Sequence, residues 1–442
     1  MNIFKTLKNR FLYQKLTKQS FSTTNEVHVY KKHFIYNPVE VLFIKTRDYP
    51  GSLKYLLEIF QQNRINLSYI ESKKLNIKGK HQDVLFIISF KGQQNDQAVK
   101  QAFIDLEQRF DNVWFSDQLP KVPWYPRTLE EVKYIGNQLM VVKEENNKDH
   151  PQFSDEVYRK RRNFIANYTK DYVFGEKIPI LKYTDQENQT WRYIYEKLDP
   201  FHEKICTESY LKYKRELEST LMINKQIPQL CDLDSYLQSK TNFRIKPAAG
   251  ILSQREFLNA LAHRVFFSTQ YIRHHATPEY TPEPDIVHEV LGHIPMFCDP
   301  LVADISHEIG LLSLGASPTQ LKKLGNLYWF TLEFGACYEK GKIKGFGAGI
   351  ASSIGESKHF LGEKAKFELL NPIIDCDKTY PIQNVQPVYK YSYTLQELLD
   401  KVIKFGESIK KPMQTYYDFN NNTVEADKKF EAIFVEEEMP EY

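Results

Sequence analysis

Two histidines five residues apart impose the strictest constraint on how this chain can fold. His288 and His293 lie in the segment TPEPDIVHEVLGH, residues 281–293. On an unbroken α-helix five residues turn through about 500°, so the two side chains would point about 140° apart. The two imidazoles could not then easily bind one ion. If they share a metal, the helix that carries His288 must break before His293.

The neighbouring residues predict where that helix begins and ends. Pro282 and Pro284 are typical of the start of a helix. Gly292 favours the left-handed conformation with which many helices end. We therefore expect a break at Gly292 that turns His293 back toward His288. The HExxH motif of zinc proteases differs, because its two histidines lie four residues apart on one continuous helix.

Glu333 is the candidate for a third metal ligand. It lies in the apolar segment LYWFTLEFGACYE, residues 327–339, where an unpaired carboxylate would be costly to bury. Two histidines and one carboxylate bind non-haem Fe(II) from one side and leave other positions open for O2, water or substrate. These residues alone do not decide between iron and zinc. The histidines expected to be structural are His263, His274, His275 and His307.

Hydrophobic periodicity divides most of the chain into three parts. Residues 37–117 alternate strand-like and helix-like segments in the order βαββαβ, which predicts an α+β ferredoxin-like domain. The proline-rich segment 120–128 is expected to enter a second domain, 120–412, in which helical patterns dominate. One segment of it, residues 255–274, is apolar nearly all round and predicts a single buried helix. Residues 413–442 predict a short hairpin and an acidic tail.

Composition limits the classes of partner and compartment. The net charge of +3 gives no argument for nucleic-acid binding, and the longest apolar run, residues 84–90, is strand-sized and too short to cross a membrane. The five cysteines include no CxxC pair, which favours a reducing compartment. Residues 1–30 are basic, with Glu26 as the first acid, and predict either a mitochondrial presequence or a disordered basic tail. The expected location is therefore the cytoplasm or the mitochondrial matrix.

Five longer segments resemble the signatures of the pterin-dependent aromatic amino acid hydroxylases, in the same order and at similar separations. The resemblance implies a mainly α catalytic domain of the aromatic amino acid hydroxylase type over residues 120–412. Residues 37–117 resemble the ACT regulatory domain of that family. The five segments are IPQLCDLDSYLQSKTNFRIKPAAGILSQREF (227–257), YIRH (271–274), YTPEPDIVHEVLGHIPMF (280–297), NLYWFTLEFG (326–335) and GFGAGIASSIGE (345–356).

The resemblance also implies two cofactors, Fe(II) and tetrahydrobiopterin, and a set of site residues. Tyr328 is expected close to the iron. Arg273 is expected to anchor the substrate carboxylate, because a guanidinium can form two parallel charge-assisted hydrogen bonds. The alternatives are a structural ion pair for Arg273 and a core position for Phe257 and Trp329. The implied contacts are His288, His293 and Glu333 for iron; Gly250, Leu252, Phe257, Glu289 and Tyr328 for pterin; and Arg273, Thr281, Pro282, Trp329, Gly349, Ser352 and Ile382 for the amino acid.

The expected substrate is L-phenylalanine, hydroxylated to tyrosine with O2. Trp329 stands where tryptophan-specific relatives tend to have Phe, and Ile382 stands near a position where tyrosine-specific relatives tend to have Asp. Ile382 also suits a tryptophan enzyme, so a tryptophan or tyrosine hydroxylase of the same family stays open. Two alternatives come from other classes, a zinc hydrolase and a catalytically inactive amino-acid sensor.

Several residues depart from the pattern of the family. Gln254 and Phe267 replace residues common near the pterin and are expected to alter its affinity. In IESKK, residues 70–74, Lys73 and Lys74 replace an Arg-Pro pair in a motif through which related ACT domains bind phenylalanine. We expect that phenylalanine still regulates activity through this domain. The short C-terminus favours a homodimer held by the hairpin, with a homotetramer as the alternative.

Overall fold

The computed structural model divides the chain into two compact units. The first consists of Met1–Val122 with Asp427–Ile433, and the second contains Pro123–Ala426. The residues that the structure describes are 41–75, 83–93, 96–110, 112–115, 120–136, 150–170, 172–250, 252–381, 384–427 and 430–433.

A four-stranded antiparallel sheet with two helices forms most of the described part of the first unit. Its elements are β1 (Val41–Arg47), α1 (Ser52–Gln62), β2 (Leu67–Leu75), β3 (Asp83–Phe90), α2 (Gln97–Arg109) and β4 (Asn112–Phe115). The strand order β2-β3-β1-β4 is that of a ferredoxin-like sandwich. The order of elements is the one predicted from the sequence, whereas the assignment as an ACT domain stays a prediction.

Side chains of β1 alternate between two apolar clusters, as expected for a strand with both faces covered. Ile44 packs in the cluster that contains Leu56 of α1 and Leu106 of α2. Phe43 points to the other face and stacks on Trp114, with ring centroids 5.6 Å apart. The helices therefore cover one face of this sheet.

The second unit is mainly helical, as predicted. Its helices are α3 (Pro151–Ser154), α4 (Glu156–Lys170), α5 (Asp185–Ile205), α6 (Glu208–Leu221), α7 (Leu230–Thr241), α8 (Gln254–Leu261), α9 (Ile294–Phe297), α10 (Pro300–Ser313), α11 (Pro318–Tyr328), α12 (Ala348–Ser352), α13 (Ile354–Leu361), α14 (Pro372–Asp375) and α15 (Leu395–Ser408). The remaining strands among the described residues are β5 (Lys121–Pro123), β6 (Arg244–Pro247), β7 (Val265–Ser268), β8 (Gly335–Glu339), β9 (Lys342–Gly345), β10 (Lys366–Leu369), β11 (Val388–Ser392), β12 (Thr415–Asp418), β13 (Thr423–Ala426) and β14 (Glu431–Ile433).

One large apolar core runs through this helical unit. The 21-residue helix α5 begins at a capping box between Thr184 and Glu187 and buries Trp191 completely. The same core contains Leu291 and Phe297, which flank the predicted ligand His293. The segment that carries His288 and His293 is therefore embedded in this large apolar core.

The prediction of a single helix over residues 255–274 is wrong. α8 ends at Leu261, Arg264 adopts a left-handed φ of 54°, and Val265–Ser268 forms β7, which pairs in parallel with β6. A left-handed residue ends a helix, and the consecutive Val-Phe-Phe residues favour a strand. An apolar run alone does not distinguish a buried helix from a short helix followed by a buried strand.

The predicted C-terminal hairpin is present as β12 and β13, which pair antiparallel. Its role in oligomerisation and the dimeric state stay predictions. The basic segment 1–30 and most of the acidic tail, from residue 434 on, lie outside the described residues. In the described part of the chain, no helix is both long and apolar enough to span a bilayer.

The close crossing of α8 and α10 yields a prediction about stability. A Cβ atom at Gly310 would lie 2.2 Å from the backbone nitrogen of Ala262. We expect Gly310→Ala to lower the free energy of unfolding by about 1–3 kcal/mol, because backbone must move to admit the methyl group. The control is Gly355→Ala, where the nearest atom, Oγ of Ser353, is 3.8 Å away. Chemical denaturation of both variants measures the difference, and equal stabilities would contradict the prediction.

Candidate active site

A π-helical turn over His288–His293 brings the two histidines together without any break in the helix. The N–H of Ile294 donates to the carbonyl of Glu289, five residues earlier. In a turn with this i→i+5 pattern, residues five apart lie nearly above one another. The predicted left-handed break at Gly292 is therefore wrong. One extra residue in the turn brings the side chains of His288 and His293 to the same side of the helix.

Gly292 has a packing role instead. A Cβ atom there would lie 2.9 Å from both Cβ and the carbonyl oxygen of Ala348, in α12. The π-turn thus approaches α12 at backbone distance, which only glycine permits at this point. This approach brings Ser352, at the end of α12, beside His288.

A second π-turn, Trp329–Glu333, carries the third predicted ligand. The N–H of Phe334 donates to the carbonyl of Trp329, five residues earlier, at 2.9 Å. This turn continues directly from α11, so Glu333 projects from the end of a helix that is anchored in the core. π-turns inside longer helices are rare and occur mostly at functional sites.

The three ligand side chains converge on one point. Nε2 of His293 lies 3.1 Å from Nε2 of His288 and 3.2 Å from Oε1 of Glu333, and Nε2 of His288 lies 3.4 Å from Oε2 of Glu333. Two ligand atoms each ~2.1 Å from one ion are about 3.0 Å apart in octahedral and about 3.4 Å apart in tetrahedral geometry. The observed separations therefore suit a shared ion and do not by themselves fix its coordination number.

Burial and mutual charge favour the protonation states that bind a metal. Burial lowers the pKa of His288 to about 4, so this imidazole is neutral at pH 7. Burial alone would raise the pKa of Glu333, but the facing His293 and His288 lower it below its ordinary value. Metal binding requires deprotonated ligands, so the site is prepared for a divalent cation.

Ser352 orients His288 from the side opposite the metal. Its Oγ lies 2.9 Å from Nδ1 of His288. With the proton on Nδ1, the imidazole donates to this hydroxyl and keeps the Nε2 lone pair for a metal. Ser352 was predicted as a substrate contact, and its observed contact is with a metal ligand.

Arg273 forms a buried ion pair with Asp285. Nε and Nη2 of Arg273 donate to the two carboxylate oxygens at 2.9 and 2.8 Å, and the backbone N–H of Arg273 donates to the same carboxylate at 2.7 Å. Asp285 also accepts the N–H of His288 at 3.3 Å. Nη1 of Arg273 has no partner among the described residues. The structural ion pair that we considered for Arg273 is present, and it leaves one nitrogen for a further anion.

The residues predicted for the pterin lie beside the metal ligands. Glu289 follows His288 in the π-turn, and its carboxyl accepts hydrogen bonds from the backbone N–H and the hydroxyl of Thr269, both at 3.1 Å. Burial raises the pKa of Glu289 to about 8. Phe257 contacts Tyr328 edge to face, with centroids 5.1 Å apart, and the buried Tyr328 hydroxyl has no partner among the described residues.

Two of the residues considered for the pterin, Leu252 and Phe267, are buried, and Gln254 is half-buried. Gly250 is half-buried, and Leu252 packs in one cluster with Phe267. A Cβ atom at Gly136 would lie 2.2 Å from the ring of Phe267, so this ring fills the space that the glycine leaves. The amide of Gln254 occupies the equivalent space at Gly325, 1.6 Å from its would-be Cβ. Both departures from the family pattern therefore have packing roles.

Trp329 forms an aromatic wall whose position depends on Gln386. The indole stacks on Tyr380 with centroids 4.2 Å apart, and its Nε1–H donates to Oε1 of Gln386 at 3.1 Å. Sequence analysis did not identify Gln386, because a single glutamine in a loop carries no signal of its partner. Gly349 permits close contact with Phe334, whose ring would lie 2.4 Å from a Cβ.

Two further predicted substrate residues lie at the start of the metal-binding segment. The hydroxyl of Thr281 donates to the carbonyl of Glu283 at 2.7 Å, and Pro282 is half-buried. Ile382 lies outside the described residues. Of the other histidines, His263 contacts the Pro126 carbonyl at 2.9 Å and His274 contacts Asp155 at 3.1 Å.

Comparison with known proteins agrees with this geometry. A family model described as biopterin-dependent aromatic amino acid hydroxylase matches residues 123–438. The phenylalanine-4-hydroxylase of Dictyostelium discoideum is 38% identical over 385 residues, which cover 86% of this chain and 87% of that protein. The tryptophan 5-hydroxylase of Xenopus laevis is 36% identical over 393 residues, which cover 87% of this chain and 81% of that protein.

A solved structure is similar in fold. Phenylalanine hydroxylase of Chromobacterium violaceum, crystallised with iron(III) and oxidised 7,8-dihydrobiopterin, aligns with a TM-score of 0.50 at 23% identity. The alignment covers 56% of this chain and 90% of that protein. At this identity the likeness concerns the fold alone.

The convergence of three side chains predicts a metal affinity that depends on Glu333. We expect Glu333→Gln to weaken Co(II) binding by more than about tenfold, because a neutral amide replaces the charged ligand and second-layer changes alone cost about 10–100-fold. Glu308→Gln is the control, since it removes a half-buried carboxyl of α10 outside the triad. Isothermal titration of each protein with Co(II) measures the constants. Equal affinity of Glu333→Gln and the parent protein would contradict the assignment.

Proposed function

Because the chain belongs to the family of biopterin-dependent aromatic amino acid hydroxylases, we propose that it is a phenylalanine 4-monooxygenase. The reaction converts L-phenylalanine to L-tyrosine with O2 and tetrahydrobiopterin at a non-haem Fe(II) centre. The observation that carries the proposal is the convergence of His288, His293 and Glu333 within 3.4 Å of one another. Two imidazoles and one carboxylate are the ligand set of non-haem iron oxygenases.

The chain holds the metal from one side. Bound Fe(II) and reduced pterin together supply the electrons for splitting O2, which is chemistry that amino-acid side chains do not provide. The two π-turns fix the three ligands, and Ser352 holds the His288 ring in the orientation that directs Nε2 inward. Tyr328, buried beside these residues, helps to exclude water from the centre.

The pterin site lies around Phe257, Gly250, Leu252 and Glu289. Phe257 provides an aromatic surface for stacking, and its contact with Tyr328 fixes the plane of that surface. Glu289, with its pKa near 8, can donate or accept a hydrogen bond at the polar edge of a pterin. The hydroxyl of Tyr328, which has no partner among the described residues, fits a polar ligand at this place.

Arg273 anchors the amino-acid carboxylate through Nη1, the nitrogen that Asp285 leaves free. Asp285 holds the guanidinium in one orientation through its two oxygens. The anchor is therefore rigid before the substrate binds, which lowers the entropic cost of positioning it. Thr281, Gly349 and Ser352 lie on segments that adjoin this polar end.

Trp329 and Pro282 enclose the aromatic ring of the substrate, and the apolar Ile382 supports phenylalanine over tyrosine. Several of the similar relatives carry the name phenylalanine-4-hydroxylase, from Caenorhabditis elegans and Rattus norvegicus among others. A tryptophan hydroxylase is the second candidate within the family. The comparisons give no support to the zinc hydrolase.

Product analysis distinguishes these substrates. We expect the ferrous protein with tetrahydrobiopterin and O2 to form tyrosine from phenylalanine with a kcat/KM at least about tenfold above that for tryptophan, because a larger ring must fit against the indole of Trp329. Chromatography of products from Phe, Tyr and Trp measures the ratio. A preference for tryptophan would move the assignment to the second candidate, and binding of phenylalanine without turnover would favour the amino-acid sensor.

We further propose that residues 37–117 are an ACT domain through which phenylalanine activates the enzyme. Gly51, with a φ of 101°, forms the turn before α1 in the PGSL motif, and Lys73 lies within 3.9 Å of Glu71 on β2. We expect preincubation with phenylalanine to raise the initial rate of the full chain severalfold and to leave a chain without residues 1–117 unchanged. Initial-rate assays measure both proteins, and the same response in both would remove the proposal.

A further inference from the structure

The junction between α5 and α6 reaches the back of the metal centre. His202, near the end of α5, and Tyr210, in the first turn of α6, are both completely buried. Each side chain hydrogen-bonds one backbone carbonyl of the segments that carry or orient the metal ligands. No role in the proposed reaction has so far been given to either residue.

Tyr210 donates a hydrogen bond to the carbonyl of Leu291, which cannot form the usual α-helical bond within its own segment. In an α-helix the carbonyl of Leu291 would accept the N–H of residue 295, but Pro295 has no N–H. The hydroxyl of Tyr210 donates to the Leu291 carbonyl at 2.7 Å. Leu291 lies inside the π-turn, between His288 and His293. The bond therefore supports the irregular turn that brings the two histidines together.

His202 serves a carbonyl at the end of α12. The last carbonyls of a helix have no donor within it, and Ala351 is the penultimate residue of this five-residue helix. Nε2 of His202 lies 2.7 Å from the Ala351 carbonyl, so Nε2 carries the proton and donates. Ser352, the next residue, is the one that contacts His288. This bond therefore fixes the segment that orients a metal ligand.

The two donors act on segments that already touch each other. The π-turn and α12 meet at Gly292 and Ala348. His202 and Tyr210 contact each other edge to face, with centroids 5.2 Å apart, and the Tyr210 oxygen lies 3.5 Å from Nε2 of His202. One buried junction thus contacts both segments at once.

We infer that Tyr210 and His202 are positioning residues for the metal centre, which set the relative placement of the π-turn and α12 by satisfying the carbonyls of Leu291 and Ala351. The inference rests on the proposed function, since it concerns the metal that His288, His293 and Glu333 would hold. Neither residue touches the metal or the substrate. Removing either donor takes a side-chain hydrogen bond away from a backbone carbonyl beside the ligands and loosens their geometry.

The test compares Tyr210→Phe with Thr241→Val in the full chain. Thr241 is buried, and its hydroxyl donates to the Phe297 carbonyl at 2.7 Å, outside both ligand-bearing turns. Both variants lose one hydroxyl–carbonyl bond of equal length with almost no change in shape. We expect Tyr210→Phe to weaken Co(II) binding about tenfold, as changes behind metal ligands do. Thr241→Val should stay within about twofold of the parent protein.

The visible absorption spectrum of bound Co(II) provides a readout that depends on ligand geometry and that a general loss of stability would not move. We expect the bands to shift in Tyr210→Phe and to keep their position in Thr241→Val. Identical affinities and spectra for the two variants would overturn the inference. If the parent protein binds neither Co(II) nor Fe(II), both the proposed function and this inference fail. If it binds metal and the two variants behave alike, only the inference fails.

Two variants of His202 test the inference independently if Tyr210→Phe does not fold. His202→Gln can present an amide N–H to the Ala351 carbonyl, whereas His202→Leu cannot. We expect the glutamine variant to bind Co(II) within about threefold of the parent protein and the leucine variant to bind at least about tenfold more weakly. Equal metal affinity and equal Co(II) spectra in these two variants would overturn the role of His202.

Discussion

The hydrogen bond from an amide to the carbonyl five residues earlier is the interaction on which the metal centre depends. It occurs in the turn that begins at His288 and in the turn that begins at Trp329, and in each it adds one residue to a helical turn. In the first turn it aligns two histidines whose spacing would place them on different sides of an α-helix. In the second it lies at the end of α11 and presents Glu333. The two turns together bring the Nε2 atoms of both histidines within 3.4 Å of each other and of the Glu333 carboxylate.

A turn of this kind forms poorly by itself, so neighbouring groups must support it. Asp285 accepts the N–H of His288 before the turn begins, and the same carboxylate orients Arg273. One buried acid therefore connects the helix that binds the metal to the side chain proposed to bind the substrate. Removing one partner of a buried ion pair typically costs 3–5 kcal/mol, because the other charge stays buried. Asp285 thus stabilises both His288 and Arg273. A substitution of Asp285 is therefore expected to disturb both side chains.

The sequence predicted the three side chains that converge, the order of elements in the first unit and the helical character of the second, but it did not predict how the three side chains meet. The two side chains of His288 and His293 cannot meet on a regular α-helix. They can meet either after a break at Gly292 or in a turn that contains one extra residue. Pro295 was the sequence signal for a turn with an extra residue. It has no backbone N–H, so the Leu291 carbonyl cannot form its usual α-helical hydrogen bond with residue 295. Contacts such as those of Asp285 with Arg273 or of Tyr210 with Leu291 depend on tertiary packing between distant segments. No local pattern encodes them.

The same limit applies to the residues proposed to select the substrate, because Trp329 belongs to a hydrogen-bond network. The indole of Trp329 donates to Gln386, whose own amide N–H2 donates to the carbonyl of Pro381 at 2.7 Å. The backbone N–H of Gln386 donates to the buried carboxyl of Glu356 at 2.8 Å. Gln386 therefore connects Trp329 to Pro381, the residue directly before Ile382 in the sequence. A substitution at Trp329 that removes its N–H also releases Gln386 from one of these partners. The proposed role of Trp329 in substrate selection therefore includes the network that holds its indole.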